Sequence, residues 1–298
     1  MSGVGAQGGS RVGESGGPAA DDPARYRVGC IGWSYDDWKG PFYPAGCPPG
    51  EFLERYAKVF DFVEVDSSFY RSPPRSMVEG WARRTPPGFL FALKIPRTVT
   101  HDDPVAEIPE ALDRFRSALV PLDQAGKLGP LLAQFPASFR FPEGKARLTT
   151  IFESLPNAGE LAVEFRHRSW WGPEPLELVR SRGASLVWSV RPGARAPFEA
   201  TAPWLYARFV GDRALTEFGR IQRDGRPAME EMREHFEREA GSARRVLALF
   251  NNHFMGFGPG AAQLFREVVG LAPVDLGAAA RTGGQHSLEG FGAEPRGG

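Results

Sequence analysis

The sequence predicts a single (β/α)8 barrel of the TIM type. Three observations point there. Eight short apolar runs of strand length alternate with segments of helical period. Together they extend over roughly 250 residues, the ordinary size of such a barrel. Ionisable and amide side chains recur where the runs end, and in this fold the C-terminal ends of the strands carry the chemistry. A doubly wound open sheet is the competing architecture, and the number of runs argues for closure.

The strand candidates are Tyr26–Gly32, Phe62–Val65, Phe89–Lys94, Leu128–Phe135, Glu160–Arg166, Ala184–Val190, Trp204–Phe209 and Arg245–Asn252. Between the first two, "FLERYAKVF" places Phe52, Leu53, Tyr56, Val59 and Phe60 on one helical face. "SPPRSMVEGWARR" offers Ser72 as a cap and Pro73 in the first turn. "ALDRFRSALVPL" sets Leu112, Phe115, Ala118, Leu119 and Leu122 on one side. "LTTIFESL", "EPLELVRS", "MEEMREHFEREA" and "AAQLFREVV" supply helices after later strands. The stretch between Ala184 and Trp204 is rich in Pro, Gly and Arg and predicts a link without a helix. The barrel domain is expected over 25–275. The Gly/Ser/Ala-rich segments 1–24 and 276–298 are expected to be disordered tails.

The 298 residues carry no formal net charge, with 42% hydrophobic and 24% charged side chains. That neutrality argues against a broad basic surface for nucleic acid but leaves room for a local basic pocket. Only Cys30 and Cys47 are present, neither a disulfide framework nor a zinc pair, and a reduced cytoplasmic setting is expected. No apolar run approaches the ~20 residues that a membrane helix needs.

At the strand exits stand Glu64 and Asp66, Lys94, Gln134, Glu164 and Arg166, Trp188, Arg208, and Asn251, Asn252 and His253. Strand side chains alternate faces, so Glu64 shares a face with Asp66, and Glu164 with Arg166. Charges inside apolar runs are costly unless paired, so these groups must satisfy one another or a ligand. The aromatic loop "CIGWSYDDWKGPFYP" leaves the first strand at the same end. Trp33 and Tyr35 are expected to wall the pocket, and Phe42 and Tyr43 to plug the barrel. The candidate catalytic residues are therefore Glu64, Glu164 and Lys94. Candidate ligand-binding residues are Trp33, Tyr35, Gln134, Arg166, Trp188, Arg208, Asn251 and Asn252.

The motifs "IGWSYDDWKGPFYP", "VEVDSSFYRSP", "FALKIPRTVTHD", "LLAQFPASF", "AVEFRHRSWW" and "LFNNHFMGFGPGAAQL" run in order from Ile31 to Leu264. In them the chain resembles the YecE-like family, domain-of-unknown-function family 72. The resemblance implies a TIM-type barrel and no function. By position it carries the family's polar residues onto Glu64, Ser67, Lys94, Thr100, His101, Gln134, Glu164, Arg166, His167, Arg208, Asn251 and Asn252. Ser67, His101 and His167 thereby join the ligand-binding candidates. After the seventh strand the family tends to have a His where this chain has Val210.

Four readings stay open. Lys94, Arg166 and Arg208 would hold an anionic or phosphorylated small molecule, helped by "GFGPGAA" at a helix start. Glu64 and Glu164 would act as paired carboxylates of a glycoside hydrolase, although neighbouring cations oppose the raised pKa of a general acid. A divalent metal would be held by Glu64, Glu164, His101, His253 and Asp66, without any HxH or HExxH spacing. Single-stranded nucleic acid would stack on Trp33 or Trp170.

Overall fold

A computed structural model describes residues 25–281, apart from 156, 158, 159, 194, 195 and 240–242. Eight parallel strands close into a barrel in sequence order. They are β1 (Tyr26–Ile31), β2 (Phe62–Val65), β3 (Leu90–Lys94), β4 (Leu128–Gln134), β5 (Leu161–Glu164), β6 (Ser185–Val190), β7 (Trp204–Phe209) and β8 (Arg245–Phe250). Closure is made by β1 on β8, from Tyr26 opposite Val246 to Cys30 opposite Phe250. Around the barrel lie α1 (Phe52–Tyr56), α2 (Arg75–Arg83), α3 (Ile108–Gln124), α4 (Lys145–Ser154), α5 (Pro173–Arg180), α6 (Arg226–Arg238), α7 (Asn252–Met255) and α8 (Gly258–Val268). Between β6 and β7 no helix occurs among the described residues, as the Pro/Gly-rich link predicts.

The strand period sorts the side chains. Phe62, Ala92, Leu132, Ala162, Val187, Tyr206, Leu247 and Leu249 form a buried cluster inside the barrel. The opposite faces, with Val63, Phe91, Val163, Phe209 and Phe250 among them, pack beneath the helices. On β2 to β7, two residues beyond the interior apolar position comes Glu64, Lys94, Gln134, Glu164, Ser189 or Arg208, all buried. One turn of the pleat thus converts an apolar layer into a polar one at the top of the barrel.

The aromatic loop after β1 is chiefly an anchor. Trp38, Phe42 and Tyr43 are buried. Tyr43 stacks on Phe52 of α1 at 4.5 Å, and Trp38 meets Phe257 edge-on beside α8. Tyr56 is inserted between two strands: its hydroxyl accepts from the Cys30 amide and donates to the Phe62 carbonyl, both at 2.8 Å. Gly29 is needed at that seam, because a β-carbon there would lie 1.9 Å from the Phe62 carbonyl oxygen.

Two expectations need correction. Ser72 does not cap α2, which starts at Arg75 after Pro74. A residue followed by proline is pushed out of the helical region, so Pro73 cannot enter the helix. Order also continues past 275: Leu276–Ala279 form a 3-10 turn with Ala279 buried, and its carbonyl accepts from Arg55 at 3.2 Å. The expected tail 1–24 and the rest of the second, 282–298, lie outside the described residues. No helix among the described residues is long and apolar enough to cross a membrane.

Tyr56→Phe leaves the Cys30 amide and the Phe62 carbonyl buried without their partner. At about 1–3 kcal/mol for each stranded group, the loss in chemical denaturation is about 2–6 kcal/mol. A loss under about 0.5 kcal/mol would show that the hydroxyl does not tie β1 to β2.

Candidate functional site at the C-terminal end of the barrel

The polar layer is organised by one guanidinium. Arg208 on β7 is 4% exposed. It donates through Nε and Nη2 to both oxygens of Glu64 on β2, at 3.0 and 2.7 Å, a forked arrangement suited to a carboxylate. Its Nη1 donates to Oε2 of Glu164 on β5. Glu64 also accepts from the Tyr206 hydroxyl at 2.8 Å. The second oxygen of Glu164 accepts from Arg166 Nε at 3.3 Å, and Arg166 Nη2 donates to Gln134 Oε1 at 2.8 Å. Across the barrel, Lys94 Nζ lies 3.2 Å from Asp66 and 3.8 Å above the centre of the Phe69 ring.

Burial and neighbours pull on these groups in opposite directions. For Glu164, burial raises the pKa, but Arg208 and Arg166 together outweigh it and hold the carboxyl below its ordinary value. For Glu64, burial outweighs Arg208 and Tyr206, and the pKa is raised. Burial lowers the Lys94 ammonium, against the pull of Asp66.

Above the layer opens a cleft of about 780 Å3. Its walls include Tyr35, Lys94, His101, Gln134, Arg166, Arg208, Asn251 and Asn252, so eight of the sequence candidates meet there. Glu64 and Glu164 do not reach its surface; they lie beneath it, 0% and 1% exposed. Asn252 is fixed by its Oδ1, which accepts from Trp38 Nε1 at 3.1 Å and from the Gly258 amide at 2.9 Å. Both partners are donors only, so the amide NH2 is set on the other side, and it has no hydrogen-bond partner. Val210, where the family resemblance leads one to expect His, is also in the wall.

Four candidates are not brought to the cleft. Trp188 points outward, stacking on Phe236 of α6 at 5.4 Å, because it has the opposite parity from Val187 and Ser189. Trp33 has the interior parity, but Gly32 at φ +79 turns the chain, and the indole packs edge-on against Trp81 of α2 at 5.6 Å. Ser67 is exposed; its neighbour Ser68 lies 2.8 Å from the Val65 carbonyl and 2.7 Å from that of Lys94, joining two strand ends. His167 caps the turn Arg168–Trp170, its Nδ1 accepting from the Ser169 amide at 3.2 Å.

The expected metal ligands also separate. Glu64 and Glu164 are engaged by Arg208, and His253 Nδ1 sits 2.9 Å from the Leu215 carbonyl. Among the described residues, no three His, Cys, Asp or Glu side chains come together as a metal site requires.

Sequence reasoning missed Arg97, Arg191 and Arg213, three further cations of the wall, and the aromatics Phe69, Tyr70 and Phe218. Arg191 was accessible to the parity rule, since it follows Val187 and Ser189 by the same step of two.

The geometry ranks the two glutamates. Glu64→Gln removes a carboxylate held by a buried forked pair, at a cost of about 3–5 kcal/mol. Glu164→Gln removes one contact to Arg208 and a longer one to the part-exposed Arg166, and its cost is about 1–3 kcal/mol. Denaturation of the two variants beside wild type checks the order, and a larger loss for Glu164→Gln would contradict it.

Known proteins share this architecture. A family described as "Protein of unknown function DUF72" matches residues 27–284. A crystal structure of a DUF72 family protein from Thermotoga maritima is 30% identical, with a TM-score of 0.71 over 82% of this chain and 99% of that one. Another DUF72 family protein, from Enterococcus faecalis, shares the fold at 23% identity and a TM-score of 0.66, over 83% of this chain and 98% of that one. The UPF0759 proteins YunF of Bacillus subtilis and YecE of Escherichia coli are each 30% identical, over 52% and 44% of this chain. The chain spans about half the length of these two curated relatives, 57% and 47%. With the family matched across nearly all of its described residues, and in agreement with the motifs of its sequence, the chain belongs to the DUF72 family.

Proposed function

We propose that the protein binds, as an enzyme or a binding protein, a phosphorylated or otherwise anionic small molecule in the cleft at the C-terminal end of the barrel. The observation that carries this reading is an imbalance of charge. The cleft wall holds six cations, Lys94, Arg97, Arg166, Arg191, Arg208 and Arg213, and two carboxylates, Asp66 and Asp212. Asp212 is itself paired with Arg223 at 2.7 Å. Glu64 and Glu164, beneath, are engaged by Arg208. Arg191 has no ion-pair partner among the described residues. Burial lowers its pKa, and the charge of Arg166 lowers it further. Two guanidiniums that repel one another across a concave wall are stabilised by an oxyanion between them. The chain as a whole is neutral, so this excess is local.

The alternatives have less support. A paired-carboxylate hydrolase needs one acid and one base facing the substrate, whereas Glu64 and Glu164 are bridged by one arginine below the cleft floor. For single-stranded nucleic acid, the stacking platforms named from the sequence are already in use. Trp33 packs on Trp81, and Trp170 stacks between Phe139 and Phe165 at 4.9 and 4.4 Å.

Calorimetric titration with inorganic phosphate, at an ionic strength held constant with chloride, tests the reading. Arg191→Ala removes a charge-assisted donor from the ligand and nothing from the barrel. Its phosphate affinity falls about 10- to 100-fold, the equivalent of about 1.5–3 kcal/mol, while its unfolding free energy stays near that of wild type. Equal phosphate affinity in wild type and variant would overturn the proposed site.

A further inference from the structure

The turn after β3 brings an imidazole, His101, to the cleft wall. Thr98–Asp102 form a single π turn, a form found frequently at functional sites. It is pinned from α4 by Arg147, which donates to the carbonyls of Val99 and Asp103 at 2.6 and 2.5 Å. Within it, the Thr100 hydroxyl donates to the Pro96 carbonyl at 3.5 Å and lies 2.8 Å from His101 Nδ1. The Thr100 contact engages Nδ1, and Nε2 has no hydrogen-bond partner among the described residues.

This imidazole lines the cleft among cations. It packs edge-on against Phe69 at 5.3 Å, and Lys94 lies over that same ring. Its charged neighbours are Asp102, Arg97, Lys94 and Arg166. The only carboxylate among them, Asp102, is 3.1 Å from Arg97, and Lys94 has its own partner in Asp66. Burial, Arg97, Lys94 and Arg166 hold His101 below its ordinary pKa, against Asp102. In the free protein these surroundings favour the neutral ring. A doubly charged oxyanion seated beside Lys94 and Arg166 reverses the local field.

We propose that His101 is the proton-carrying group of the anion site: a dianionic oxyanion of the phosphate type is bound together with one proton from solvent, taken up by the imidazole, whose Nδ1–H then donates to Thr100 Oγ1 and whose Nε2–H donates to an oxygen of the ligand. The inference rests on the anion reading above and deepens it. A site of this kind discriminates by charge, because a monoanion offers less to offset the imidazolium. It selects phosphate monoesters and their like over singly charged carboxylates.

Sulfate is the probe, since it keeps its double charge without titrating near neutrality, and chloride makes up the ionic strength. The Cε1–Hε1 resonance of His101 is identified by NMR from its loss in His101→Gln. In chloride it titrates below the ordinary histidine midpoint of about 6.5, and in saturating sulfate the midpoint moves up by about one unit or more. By linkage, wild-type sulfate affinity falls about tenfold as the pH rises through that window, and the affinity of His101→Gln stays flat. Sulfate binding that depends on Arg191 but leaves the His101 midpoint in place overturns the proton-coupled site and leaves the anion reading standing. Failure of sulfate to bind wild type at all overturns both.

Discussion

Arg208 holds two carboxylates at once, Glu64 from β2 and Glu164 from β5, in a region closed to water. Each of these ions would cost several kcal/mol to bury alone. With Tyr206 donating to Glu64 and Arg166 pairing with Glu164, they form a set in which two carboxylates meet two guanidiniums. The three strands involved are spread around the barrel, so the set ties its top from within. It also fixes the floor of the cleft, because Arg166 is positioned by Glu164 on one side and Gln134 on the other.

That arrangement separates structural charges from available ones. The residues with the strongest functional look in the sequence, Glu64, Glu164 and Arg208, spend most of their hydrogen-bonding capacity on each other. The cations with capacity left are on the wall above: Arg191, Arg213 and, beside its single carboxylate partner, Lys94. The cleft thus lies over a layer of buried, paired charges.

The barrel and most of the polar layer were legible because both follow from a period of two. Glu64, Lys94, Gln134, Glu164 and Arg208 each stand two places beyond an apolar residue of the interior, and short strands carry that register faithfully. The same rule, applied strictly, excludes Trp188 and selects Arg191. Trp188 has the outward parity, and Arg191, with the inward one, stands just past the end of β6. Trp33 failed for the opposite reason: its parity is right, but the left-handed Gly32 ends the pleat before it. Tyr35, Phe69, Tyr70, His101 and Phe218 sit on turns and loops, where side-chain direction depends on backbone geometry that no simple period encodes. The role of Asn252 depends on Trp38, 214 positions away in sequence, and on Gly258.

In the proposed anion site a structural arginine, Arg208, lies below and the arginines that meet the ligand, Arg166 and Arg191, lie above. The direct measurement is a crystal structure of the protein grown with selenate and phased on the anomalous signal of selenium. The account predicts an anomalous peak in the cleft, within hydrogen-bond distance of Arg166 and Arg191, with Arg208 still bound to Glu64 and Glu164. A selenate held by Arg208 with either glutamate displaced, or an empty cleft with selenate ordered elsewhere on the molecule, would contradict it.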